Sequence, residues 1–163
     1  VLSTWPGSPR MLSVAGTAEG SFYLFSGVAL NEGKRKYLND AFKFTPGKGW
    51  QKIKDLPAAV VAAPSPAYNL NDADLLIFGG DDGKLADKAA DLKENHPGFS
   101  REILNYDVAA DSWTVAGQVE ATAPVTTPLL VWNDKVVLPG GEVRAATRTS
   151  NVLIVSVKNA ESK

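Results

Sequence analysis

Three stretches of the chain share one pattern of apolar and polar positions. Apolar and small-residue runs over residues 11–18, 58–68 and 125–132 each end in a turn signal, Glu19-Gly20, Asn71-Asp72 and Asn133-Asp134. A second apolar run follows each turn and closes on glycine: Phe22-Tyr23-Leu24-Phe25-Ser26-Gly27, Asp74-Leu75-Leu76-Ile77-Phe78-Gly79-Gly80 and Lys135-Val136-Val137-Leu138-Pro139-Gly140-Gly141. Short runs rich in Val, Leu, Ile, Phe and Tyr between Gly, Pro, Asn and Asp predict strands. Each unit therefore reads as strand, tight turn, strand, glycine pair. A variable loop and a third strand follow, predicted over residues 37–44, 102–106 and 149–157. Two of these lead through a turn to a tryptophan and a fourth strand, residues 50–54 and 113–116. The glycine pairs recur roughly every 50 to 60 residues, and four strands per period is the pattern of a propeller blade.

Composition narrows the function classes. The chain has 163 residues, 44% apolar and 21% charged, enough for one ordinary domain with its own core. A formal charge of −1 argues against nucleic acid as a partner. No apolar run approaches the roughly 20 residues of a membrane-spanning helix, so no membrane partner is expected. With no cysteine there is no disulfide, thiolate metal site or cysteine nucleophile. That leaves the compartment open on composition. The chain starts at Val1 rather than Met, which reads as a processed or trimmed product, and a periplasmic or otherwise exported location is the expectation.

A glycine pair, then an aromatic residue and a Trp about six residues later, resembles the kelch repeat, and the resemblance covers nearly the whole chain. It implies an all-β fold of three four-stranded kelch blades, half of a six-bladed propeller. Blade one is placed at about residues 5–55, blade two at 56–118 and blade three at 119–160, the last partly incomplete because only polar residues without Trp follow residue 157. Trp50, Trp113, Tyr106 and Phe44 are assigned to packing between blades. Residues 1–4 form a β-type stub ahead of blade one. Three blades leave open ends, so two arrangements are expected: a homodimer closing a six-bladed ring, each stub completing its neighbour's third blade, or a chain that is half of a longer protein.

Candidate chemistry lies in two loops. His96, the sole histidine, sits in the longest one, residues 81–100, where Leu85, Ala89 and Leu92 have helical spacing. It is either an exposed loop residue before Pro97 or a ligand contact at the channel mouth. In Gly140-Gly141-Glu142-Val143-Arg144-Ala145-Ala146-Thr147-Arg148-Thr149, a carboxylate leaves the glycine pair and a guanidinium returns six residues later. Glu142 and Arg148 then stand together on one rim, either as a surface ion pair of little worth or as a proton-transfer group beside an anion anchor. Arg144 competes with Arg148 in the same loop.

That Gly-Glu-x5-Arg-Thr segment resembles the motif of the N-acetylneuraminate epimerases, six-bladed bacterial kelch propellers also called sialic acid mutarotases. Trp113-Thr114-Val115-Ala116-Gly117, Pro6-Gly7-Ser8-Pro9-Arg10 and Asn151 to Lys158 are also similar. The resemblance implies a cofactor-free isomerase, with no metal, that interconverts the anomers of a sialic-acid-like sugar acid. Glu142 and Arg148 then map onto catalytic positions, and Arg10, His96 and Arg144 are substrate-binding candidates. The rival from another class is a non-catalytic kelch scaffold that binds a protein or glycan through its rim loops. Copper-dependent kelch oxidases need a Cys-linked Tyr and several histidines. Sialidase propellers need Ser-x-Asp-x-Gly-x-x-Trp boxes. Neither pattern is present.

Overall fold

The computed structural model describes residues 2–157. Among these residues eleven strands form three antiparallel sheets, two of four strands and one of three. The first sheet is β1 (Val14–Ala18), β2 (Ser21–Asn31), β3 (Lys34–Thr45) and β4 (Gly49–Ile53), each hydrogen-bonded to the next. The second runs in the same order through β5 (Tyr68–Leu70), β6 (Asp74–Phe78), β7 (Glu102–Asp107) and β8 (Ser112–Gln118). The third has β9 (Leu130–Trp132), β10 (Lys135–Arg144) and β11 (Thr147–Val155). These are three kelch-type blades, the third with three strands rather than four among the described residues. Residues 158–160, included in the expected third blade, lie outside the described residues, as does Val1 of the stub. Among the described residues no helix is long and apolar enough to cross a membrane.

The tight turns fall where the sequence signals them. Glu19, Asn71, Asp72, Asn133 and Asp134 all take positive φ, the geometry of a two-residue hairpin that follows the twist of its strands. The first strand of each unit is shorter than its apolar run. Regular pairing covers only Val14–Ala18, Tyr68–Leu70 and Leu130–Trp132, because the run is broken at Leu12, Ala62 and Thr126, all of positive φ. Just before each break, a residue bridges the position after the glycine pair. Met11 exchanges two backbone hydrogen bonds with Val28, Val61 with Asp81, and Val125 with Glu142, all of 2.8–3.0 Å. The breaks themselves are linked from blade to blade: Ala62 N–H donates to Leu12 C=O at 2.9 Å, and Thr126 N–H to Ala62 C=O at 2.8 Å.

The second glycine of each pair is a packing necessity. At Gly80, φ +105°, an added Cβ would lie 2.7 Å from the Cα of Val60; at Gly141, φ +111°, it would lie 2.7 Å from the carbonyl oxygen of Val125. Ser26 replaces the first glycine of blade one at φ 55° and is fully buried. Its hydroxyl donates to Leu38 C=O and accepts from Val60 N–H, each at 2.8 Å, and so joins blade one to blade two.

Two larger apolar clusters hold the blades together, and a smaller third one, Val28 with Ala59 and Val61 and with Tyr37 against it, joins blades one and two. Tyr23, Phe25, Leu75, Ile77, Leu104 and Tyr106 fill the space between blades one and two, with Trp113 against them. Leu76, Phe78, Val136 and Leu138 do the same between blades two and three, with Tyr68, Leu70 and Ile103 at the edge. Trp113 Nε1–H donates to Lys54 C=O at 2.9 Å, and Tyr106 O–H donates to Asp111 at 2.8 Å. Burial, then the Asp111 hydrogen bond, pushes the Tyr106 phenol well above its ordinary range. Trp50 Nε1–H donates to Ser3 C=O at 2.7 Å, so the stub occupies, against blade one, the place that Lys54 holds against blade two.

Candidate functional site

The β2–β3, β6–β7 and β10–β11 connections gather on one rim. In blade one the connection is a long hairpin; in blade two it carries a short helix, Ala89–Leu92, flanked by two helical turns; in blade three it is the Glu142–Arg148 hairpin. Together they enclose a cavity of about 710 Å³. That size suits a small-molecule ligand. Lys34, Arg35 and Tyr37 contribute from blade one, Asp81, His96 and Phe99 from blade two, and Glu142 from blade three.

Glu142 and Arg148 are register partners on β10 and β11. Their closest charged atoms are 3.7 Å apart, with the Glu142 side chain 20% exposed and that of Arg148 69% exposed. Glu142 Oε1 also accepts the Ala146 N–H at 2.8 Å, which fixes the carboxylate within its own hairpin. Arg148 Nη1 lies 3.4 Å from the hydroxyl of Thr126, on the break that links blade three to blade two. Glu142 thus forms cavity wall while Arg148 stands on the solvent side of the pair, with most of its donors free among the described residues.

His96 is 7% exposed, so the exposed-loop alternative is corrected. Its Nδ1 accepts the Gly98 N–H at 3.1 Å, which assigns any single ring proton to Nε2. Arg10 is placed elsewhere. Its side chain is 2% exposed and forms a two-pronged pair with Asp40. It also donates to Ser26 C=O at 3.2 Å and lies over the Phe42 ring at 5.4 Å. These contacts tie Arg10 into blade one, away from the cavity. Arg144 donates from Nε to the Thr147 hydroxyl at 3.1 Å across the hairpin tip and is not part of the cavity wall.

The sequence reading did not single out Tyr37, Asp81, Lys34 and Arg35. Tyr37 O–H donates to Asp81 Oδ2 at 2.8 Å, and Asp81 Oδ1 accepts the Gly83 N–H at 2.9 Å. Gly83 lets the tyrosine ring lie on the backbone, since a Cβ there would fall 2.5 Å from the ring. Burial, then the Asp81 hydrogen bond and charge, push the Tyr37 phenol from 10.0 to about 12. A phenol whose folded pKa is raised favours the fold with its proton on. That contribution is full below pH 10 and is lost as the pH rises through about 12. In a comparison with Tyr37→Phe, the difference in phenolate absorbance is expected to appear near pH 12; appearance near pH 10 would contradict the Tyr37–Asp81 contact. One available clue was spacing: Asp81 follows Gly79-Gly80 as Glu142 follows Gly140-Gly141.

Comparison with known proteins fits this architecture. The solved structure of YjhT, a kelch-type propeller, superposes with a TM-score of 0.78 at 21% identity, covering 99% of this chain and 56% of that one. N-acetylneuraminate epimerase of Haemophilus influenzae is 25% identical over 170 residues, which cover 91% of this chain and 45% of that protein. The chain is a kelch-type propeller segment that resembles the N-acetylneuraminate epimerases. The enzyme of that name from Yersinia enterocolitica is 25% identical over 188 residues, covering 99% of this chain and 47% of its own. No family model matches the chain. The chain spans about half the length of these curated relatives.

Proposed function

We propose that the chain is half of a cofactor-free epimerase that interconverts the anomers of N-acetylneuraminate or a closely similar sugar acid. The observation that carries this reading is Glu142. It is a carboxylate held by its own hairpin, forming the wall of a cavity built by three rim loops, with Arg148 beside it. Anomer exchange needs only proton transfer. As the ring C–O bond breaks, the anomeric hydroxyl gives its proton to Glu142, which passes it to the ring oxygen; the exocyclic oxygen becomes the ketone. Reclosure moves that proton back from the ring hydroxyl to the exocyclic oxygen. Arg148, with Lys34 and Arg35 across the cavity, supplies cationic donors for the sugar carboxylate. His96 Nε2–H supplies a hydroxyl or carboxylate contact. The reading is tested by following anomer exchange of N-acetylneuraminate with and without the chain. The scaffold reading is favoured if the sugar binds and its exchange rate is unchanged.

The open ends support a closed ring as the working form. On blade three, Leu130, Trp132, Val152 and Ile154 are exposed, Trp132 at 64%. They occupy the register positions of Tyr68, Leu70, Ile103 and Asn105, and of these Tyr68, Leu70 and Ile103 pack toward blade three. On blade one, Phe22 and Leu24 are only half-buried where their counterparts Leu75 and Ile77 are fully buried against blade one. Each end therefore repeats one half of an interface already made inside the chain, and apolar surface of this kind seeks a partner. The proposed partner is a second half-ring, from a second copy or from the rest of a longer chain. Light scattering on the chain alone is expected to give twice its 17.3 kDa mass, reduced to the monomer by Trp132→Glu. A parent that stays at 17.3 kDa at low and high concentration rules out the homodimer.

A further inference from the structure

We propose that Asp81 is a second proton-transfer group of the site, serving the face of the sugar opposite to Glu142, with Tyr37 as its positioning residue. This rests on the epimerase reading above. Asp81 and Glu142 hold the same position in neighbouring blades. Each follows its glycine pair and each exchanges two backbone hydrogen bonds with the inner residue of its own blade, Val61 or Val125. The repeat thus presents two carboxylates to one cavity, one from each of two neighbouring blades.

The chemistry asks for two directions. Exchange of anomers moves the exocyclic oxygen from one face of the ring to the other, and a single carboxylate fixed in a hairpin addresses one face. On the first face, the anomeric hydroxyl gives its proton to Glu142, the ring C–O bond breaks with its electron pair going to the ring oxygen, and Glu142 returns the proton there. The open form, now a ketone with a free hydroxyl, turns its carbonyl over. On the second face, that hydroxyl attacks the ketone carbon and gives its proton to Asp81, which delivers it to the former ketone oxygen. Each carboxylate starts and ends ionised, and no proton is gained or lost overall.

Three further observations fit the role. Both Asp81 oxygens are held, by Tyr37 O–H and Gly83 N–H, so the carboxylate has one orientation and each oxygen keeps a lone pair for substrate. The Tyr37 ring is seated on Gly83 with no room for a side chain beneath it. His96, nine-tenths buried in the same cavity wall, leaves Nε2 without a hydrogen-bond partner among the described residues. A purely structural carboxylate needs neither the cavity nor the free Nε2 in the same wall.

The test compares the parent with Asp81→Asn, Asp81→Glu and Tyr37→Phe, using N-acetylneuraminate anomer exchange and the melting curve of each. Asp81→Asn is expected to lower kcat by about 10²- to 10⁴-fold with little change in KM. Asp81→Glu should recover part of that loss, because the group can still carry a proton. Tyr37→Phe should lower kcat by less and shift the pH profile. If the parent is active and Asp81→Asn keeps its kcat, Asp81 is no proton-transfer group. Loss in Asp81→Asn that is matched by a collapsed melting curve and not recovered by Asp81→Glu assigns it a structural role and overturns the proposal. A parent that binds the sugar without accelerating exchange overturns the epimerase reading, and this proposal with it.

Discussion

Replacing Glu142 by Gln is expected to suppress anomer exchange by about 10²- to 10⁴-fold while the chain keeps its fold. The substitution preserves shape and removes the ability to carry a proton at neutral pH. Glu142 adds little to the core: its backbone bridge to Val125 does not depend on the side chain, and among the described residues its carboxylate serves only Ala146 N–H and the exposed Arg148. An exposed ion pair of this kind contributes at most about 1 kcal/mol to stability. The melting temperature should therefore move little as the rate falls. Proton NMR of the exchange and a thermal melt on the same sample separate the two effects. Full exchange activity in Glu142→Gln would remove this residue from the chemistry.

Phe25→Ala is expected to give the largest loss of stability, roughly 3–5 kcal/mol, the usual cost of emptying a buried aromatic site. Phe25 is wholly buried between blades one and two. It stacks on Tyr23 and meets Tyr106 and Trp113 edge-on, with centroids 5.4–5.9 Å away. Truncation leaves a hole walled by rigid rings that have no freedom to collapse into it. Chemical denaturation should show a lower midpoint with the sheet signal retained at zero denaturant. A change below about 1 kcal/mol would mean that the blades are not packed through this cluster.

The blade architecture was legible because it is written as a local period. The turns at Glu19-Gly20, Asn71-Asp72 and Asn133-Asp134 need residues that tolerate positive φ, and the glycine pairs need the absence of a side chain, so both leave marks in the sequence. The breaks at Leu12, Ala62 and Thr126 leave no such mark. Ordinary residues are held there by the blade-to-blade hydrogen bonds, and the apolar runs through them read as continuous strands. The same limit applies to the site. Glu142 and Arg148 were paired by spacing within one hairpin, whereas Tyr37 and Asp81 meet across two blades, 44 positions apart in sequence, where no local pattern links them. Arg10, marked for substrate by a motif match, is paired with Asp40, 30 positions away, another contact that no local pattern announces.

The most direct test of the account is one-dimensional proton NMR of freshly released α-N-acetylneuraminate, recorded over time with the assembled chain and with buffer alone. The account predicts that the α signals decay to the equilibrium mixture markedly faster with the chain, and that Glu142→Gln returns the decay to the buffer rate. Identical decay with the assembled, sugar-binding chain and with buffer would contradict it.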